Sequence, residues 1–245
     1  MTNTKGKTHV TLIIALVVVA GLASLLFYQL VANDGGVYQA ARHGAMTRLK
    51  MVLFFRPGLV NVRDRDQRTP LMGACYDGEY DAALYLIEKG ADMDAQDSEG
   101  LTALHMGAIQ GNMDIVQLLL AKGASPNVQD RGGMTPLMRM VQKGDLKMVR
   151  KLIDGKTDLD IADKADGMTA LHWAASKGKT DADKKRYAEV ARALLDGKAN
   201  PNLRDKEGKT PLDAAFMNDN MPVHDLIKKA GGRSAVEDMQ PTRRR

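Results

Sequence analysis

Apolar residues are laid out along this chain in two ways. From Val10 to Ala32 they run for 23 residues without a single charge. From Gly36 onward they come instead in short clusters, two to a unit of about 33 residues, with polar turns between them. In one unit Leu104 and Ala108 give a narrow face of small residues, closed by Gly111. Ile115, Val116, Leu118, Leu119 and Leu120 follow as a wider apolar stripe. Both spacings fit one side of a helix, so each unit reads as helix–turn–helix. The polar stretch from Asn127 to Gly133 then turns the chain into the next unit. A unit this small cannot bury its own apolar face, so the units must stack on one another.

The punctuation between the clusters repeats too. First helices open at Thr69-Pro70-Leu71-Met72, Thr102-Ala103-Leu104-His105, Thr135-Pro136-Leu137-Met138, Thr169-Ala170-Leu171-His172 and Thr210-Pro211-Leu212-Asp213. The threonines step by 33, 33, 34 and 41 residues. Each is placed to cap a helix through its hydroxyl, with proline at the first helical position where no amide hydrogen is needed. Asp64, Asp97, Asp130, Asp163 and Asp205 keep the beat upstream, and Gly44, Gly78, Gly111, Gly144 and Gly178 keep it downstream. These glycines suit a left-handed helix terminus. The period, the Thr-Pro-Leu-His-like opening and runs such as Gly90-Ala91-Asp92 resemble the ankyrin repeat. The resemblance implies an all-α solenoid of stacked helix–turn–helix units with projecting β-turn fingers, here preceded by one transmembrane helix. It covers residues 36–232, about six repeats with the caps.

The ends and departures are informative. The first unit lacks the Thr-Pro-Leu-His phrase and the last closes on Ala230-Gly231-Gly232, so both read as caps. Residues 233–245 end in three arginines and are expected to be a basic disordered tail. Gly155-Lys156 and Gly197-Lys198 invert the Lys-Gly order of Lys89-Gly90 and Lys122-Gly123. A lysine is therefore expected in the left-handed backbone position, at a cost of about 1 kcal/mol. The fourth full unit carries eight extra residues, Lys179 to Arg186, expected as a solvated loop with helix 2 resuming at Ala188.

About 20 apolar residues span a bilayer as a helix, so residues 10–32 read as a transmembrane signal anchor. A cleaved signal peptide with a site at Gly21-Leu22-Ala23 is the alternative, though the apolar stretch from Ser24 to Ala32 would make a poor mature terminus. Lys5 and Lys7 precede the run and Asp34 follows it. Residues 1–9 are thus expected in the cytoplasm and the repeats outside it. In a bacterial envelope that places them in the periplasm, held at the inner membrane.

Composition narrows the chemistry. The net charge of +5 is modest, and its lysines are interspersed with acidic residues, so no nucleic-acid partner is expected. Cys75 is the lone cysteine, sits where the repeats prefer alanine, and reads as a packed side chain. Asp92, Asp94, Asp97 and Glu99 resemble a calcium loop only in part, since the sixth-place glycine is missing and the twelfth place is Ala103. The resemblance gives His105 and His172 a hydrogen-bonding role between neighbouring turns. No cofactor, metal site or catalytic constellation is expected, and an enzyme or metal protein using the acidic fingers is the alternative of another class.

Binding remains. In ankyrin proteins, partners meet the finger tips and the outward positions of the first helices. Carried over by register, the candidate contacts here are Tyr76, Leu101, Met106, Ile109, Met134, Arg139, Met168, Trp173 and Lys177. Leu101, Met134 and Met168 form a column at the finger bases, and the aromatic, arginine-containing patch is rimmed by charge. The expected partner is another protein, met by a chain that is a monomer when unbound. Among periplasmic ankyrin proteins two roles are suggested. One is restraint of an envelope enzyme such as a peptidoglycan endopeptidase, as in the self-protection proteins of predatory bacteria. The other is support of an antioxidant enzyme such as catalase.

Overall fold

A computed structural model describes residues 35–235. The expected membrane span at 10–32, the residues before it and most of the basic tail lie outside that range. Among the described residues no helix is long and apolar enough to cross a membrane, and there is no strand.

Twelve α-helices form six antiparallel pairs among the described residues. They are α1 (Gly35–Arg42), α2 (Met46–Phe55), α3 (Pro70–Asp77), α4 (Tyr80–Glu88), α5 (Ala103–Gln110), α6 (Met113–Lys122), α7 (Pro136–Lys143), α8 (Leu146–Asp154), α9 (Ala170–Ser176), α10 (Asp181–Asp196), α11 (Pro211–Met217) and α12 (Met221–Lys229). A short 3₁₀ turn, Pro57–Asn61, follows α2. First helices pack on first helices, α1 through α11, and second helices on second helices, α2 through α12, giving two layers that run the length of the stack. Their shared core is continuous, with Leu71, Leu86, Leu104, Ile115, Leu119, Leu137, Leu152, Leu171 and Leu194 fully buried.

The repeated punctuation does its expected work. Thr69, Thr102, Thr135 and Thr210 each accept the amide of the residue three places on, at 3.3–3.4 Å. Gly44, Gly78, Gly111 and Gly144 end first helices with positive φ. Lys156 and Lys198 do hold the left-handed conformation, with φ of 60° and 73°. The glycine displaced from that position has its own reason. A Cβ on Gly155 would lie 2.7 Å from Leu120 Cδ1, and one on Gly197 2.9 Å from Leu159 Cδ1. The shifted glycine admits a leucine from its own or the neighbouring unit, and the following lysine carries the backbone strain.

The expected loop at 179–186 is instead helix from Asp181 onward. Asp181–Asp196 is one helix of 16 residues, two turns longer than its counterparts at its N-terminal end. Thr180 caps it, accepting the Asp183 amide at 3.1 Å. Asp181 and Asp183 fill the first turn, where acidic groups favour the helix dipole, and Lys184, Lys185 and Arg186 follow. Lys184 then reaches Asp219 of the last unit at 2.7 Å.

Candidate protein-binding face

The face is built on the fingers. In each finger one aspartate oxygen folds the turn by accepting backbone amides. Asp64 Oδ1 accepts from Asp66 and Arg68, Asp97 Oδ1 from Glu99 and Leu101, and Asp205 Oδ1 from Glu207 and Lys209, all at 2.8–2.9 Å. Neighbouring fingers are then tied to each other. Ser98 donates to the Asp66 carbonyl, Arg131 to Glu99, Lys164 to Gly132 and Lys206 to Asp166, at 2.8–3.1 Å. Gln96 and Gln129 each bridge their own finger and the next through Nε2. A second column of side-chain acceptors, Asn61, Asp94, Asn127, Asp160 and Asn202, takes one amide from each following unit at 2.8–2.9 Å. Asp92, Asp94 and Asp97 are therefore engaged as backbone acceptors, and among the described residues no group of three His, Cys, Asp or Glu is placed to hold a metal.

The histidines lock helix to finger. His105 Nδ1 accepts the Thr102 amide at 3.2 Å and its Nε2 donates to the Met134 carbonyl of the next finger at 3.3 Å. His172 repeats this with Thr169 and Lys209 at 3.2 and 3.1 Å. Burial lowers the His105 pKa from 6.5 to about 4 and lowers that of His172 in the same sense. Both rings are held neutral with the proton on Nε2. Cys75 is fully buried, and burial pushes its thiol well above its usual pKa, away from the reactive thiolate.

The second carboxylate oxygen of the finger aspartates positions two of the candidate contacts. Arg139 donates from Nε to Asp130 Oδ2 at 2.7 Å. Trp173, at the equivalent place one unit on, donates from Nε1 to Asp163 Oδ2 at 2.9 Å. Met106 holds that place in the unit before and has no donor. Asp97 Oδ2 is left without a hydrogen bond there, and Arg68 of the preceding finger stands 3.7 Å away in partial compensation.

The candidate residues divide by depth. Tyr76 is exposed, and the Arg42 guanidinium lies 5.6 Å over its ring while pairing with Asp77 at 2.7 Å. Trp173 is half-buried, with Lys177 Nζ 5.2 Å over its ring. Arg139, Ile109, Met134 and Met168 are half-buried as well. Leu101 and Met106, in contrast, are interior residues, 8% and 5% exposed, and offer a partner almost no surface. The apolar column at the finger bases is largely packing between units, and its accessible part is Met134 and Met168. What the structure adds is the first repeat. Tyr38, Arg42 and Arg68 join Met72, Tyr76 and Met106 around a cleft of about 120 Å³. In register Arg42 is the counterpart of Tyr76, a position that the missing Thr-Pro-Leu-His phrase of the cap obscures. A larger open groove lies on the second-helix side, between Tyr80, Met113, Gln117 and Leu118.

The family model for ankyrin repeats (3 copies) matches residues 37–130, 115–184 and 137–233. This chain belongs to the ankyrin-repeat family. A crystal structure of an ankyrin repeat domain from Acinetobacter baumannii AYE superposes with a TM-score of 0.71 at 29% identity, over 82% of this chain and 100% of that one. A stretch of 70 residues is 39% identical to the transient receptor potential cation channel subfamily A member 1 homolog of Caenorhabditis elegans, which is 29% of this chain but 6% of that protein. Ankyrin repeats are protein-binding modules, typically without catalytic activity.

Proposed function

We propose that this protein is a non-enzymatic binding module of the bacterial envelope. Residues 10–32 hold it in the inner membrane with the ankyrin stack on the periplasmic side. There it restrains an envelope enzyme, such as a peptidoglycan endopeptidase, by laying its finger and first-helix face over the enzyme's cleft. One observation supports this most. Two aromatic–cation pairs, Tyr76 with Arg42 and Trp173 with Lys177, stand on that face with Arg139 between them, mounted on a ladder of hydrogen-bonded fingers. Aromatic and arginine anchors held rigid in advance are what concentrates binding energy in an interface.

Affinity capture from solubilised membranes, with the full chain as bait, tests the reading. Replacing Tyr76 and Trp173 by alanine should weaken capture of the native partner by about tenfold or more, roughly 1.4 kcal/mol. Charge changes at Gln117 and Arg192, both exposed on second helices, should leave it intact. Circular dichroism confirms that each variant is folded. Capture that survives the first pair and is lost with the second would move the site to the outer face. A captured enzyme whose turnover is unchanged by saturating protein would overturn the inhibitory role. Release of the protein by alkaline carbonate would overturn the anchor.

A further inference from the structure

From Gly35 to Arg63 the chain carries five basic side chains, Arg42, Arg48, Lys50, Arg56 and Arg63, and no acidic one. Those five match the net charge of the entire chain, +5, so the remainder is balanced. Arg42 is used internally by Asp77, and Arg63 donates to the Gln96 carbonyl at 2.8 Å. Arg48, Lys50 and Arg56 belong to α2 and its end; Arg48 Nε is buried, and the exposed Lys50 has its Nζ 5.8 Å from the Tyr85 ring.

The same helix ends on two exposed phenylalanines. Phe54 is 79% and Phe55 54% exposed, their rings edge to face at 5.0 Å. Register makes them anomalous. The two places are Glu88-Lys89 at the end of α4, Ala121-Lys122 in α6, Asp154-Gly155 at the end of α8, Asp196-Gly197 at the end of α10 and Lys229-Ala230 at the end of α12. Every later unit puts a charged or small residue there. Lys50 is exposed and lies one turn before Phe54, on the same side of the helix. Large rings beside lysine and arginine, with no carboxylate in the segment, match the boundary of an anionic bilayer. There the rings enter the acyl–headgroup layer and the cations meet lipid phosphates.

Chain continuity favours the same occupant. The uncharged run ends at Ala32 and α1 begins at Gly35. The three Cα–Cα steps from Ala32 to Gly35 reach about 10 Å at most. If that run spans the membrane, the first repeat sits against the lipid surface.

We propose that the Phe54–Phe55 edge of α2 rests in the headgroup layer of an anionic membrane, with Lys50 beside the lipid phosphates. The contact fixes the first repeat at the bilayer and sets the direction in which the stack projects. Its proximity to lipid rests on the anchor reading, while its chemistry rests on the rings and the charge.

The test uses the full chain in vesicles, labelled with an environment-sensitive dye at Gly58→Cys. A Cβ at Gly58 would meet nothing within 4 Å, and buried Cys75 stays unlabelled. Phosphatidylcholine vesicles with and without phosphatidylglycerol carry nitroxide lipids as quenchers. The expected result is strong quenching in the anionic vesicles, weaker in the neutral ones, and lost when Phe54 and Phe55 are both changed to serine. Lys50→Ala should lower the docked-to-undocked ratio about fivefold, since one lysine near an anionic leaflet is worth about 1 kcal/mol. Equal quenching with and without phosphatidylglycerol would overturn the proposal. So would quenching that survives the double serine change, which would reflect mere closeness to the anchor. A blue-shifted dye that lipid nitroxide cannot reach would mean that protein covers the edge, and would overturn it as well. Carbonate extraction of the same samples reports separately on the anchor.

Discussion

Lowering the pH should unlatch the stack at its histidines before its carboxylates titrate. Burial lowers His105 from 6.5 to about 4. Its Nδ1 accepts the Thr102 amide at 3.2 Å beside the Thr102 hydroxyl at 3.0 Å, so a second proton there would be set against the amide hydrogen in a buried site. Between those two pH values the unfolded chain binds more protons than the folded one, and stability falls as pH falls. The contribution is complete above pH 6.5 and lost on the way down to about pH 4. At 1.36 kcal/mol per pH unit the whole effect is about 3 kcal/mol. About 2 kcal/mol of it should be gone between pH 7.5 and pH 5, above the range where ordinary carboxylates titrate. His172 is lowered by burial as well and adds to the loss in the same direction. Urea denaturation followed by circular dichroism at half-unit pH steps reads this directly. A His105→Asn variant keeps an acceptor for the Thr102 amide but gives up the bond to the Met134 carbonyl, so it should be less stable at pH 7.5. It should also show a visibly shallower pH dependence than the parent, because the contribution of the buried His105 ring is removed. Parent and variant curves with the same slope from pH 7.5 to pH 5 would refute the reasoning, as would a parent that gains stability on acidification.

Two further outcomes bear on the stack itself. Lys156→Gly and Lys198→Gly should each stabilise by about 0.5–1 kcal/mol in urea midpoints, since glycine takes positive φ without the Cβ penalty; a loss of stability would show that the lysine side chains make contacts worth more than the strain. Leu119→Ala should cost about 2–5 kcal/mol as a fully buried large-to-small change, whereas deleting residues 179–186 removes the Thr180 cap and the Lys184–Asp219 pair but no core leucine, so thermal melts should rank the deletion as the milder lesion.

What could be read from the sequence was whatever repeats as local chemistry. A threonine three places before a buried amide, a glycine where φ must be positive, and a histidine between two turns each act within one or two units, so their register is enough to assign them. The inverted Gly-Lys pairs are the sharpest case. A shift of one place in a repeated phrase foretells a strained lysine, and φ at Lys156 and Lys198 agrees. The helix start inside the insertion at 179–186 is hidden because dense charge looks like a solvated loop. The order of the charges carried the better signal, with Thr180 first, Asp181 and Asp183 next and the cations after them, as a helix start requires. Depth was the other illegible quantity. Register tells which side of a first helix faces the fingers, but how far a side chain stands out depends on its neighbours in the units before and after it. Met106 and Trp173 occupy equivalent places, yet one is interior and the other half-buried with its indole bonded to Asp163. The difference lies in the donor. Arg139 and Trp173 are held at the finger carboxylate and keep part of their surface open, while Met106 has no polar tether and sinks into the cleft below Tyr76. How much of that first-helix position stays open is therefore set one unit at a time, by whether the helix supplies a donor to its own finger. That condition can be sought in any ankyrin sequence by looking for Arg, Trp or another donor nine or ten residues after the finger aspartate.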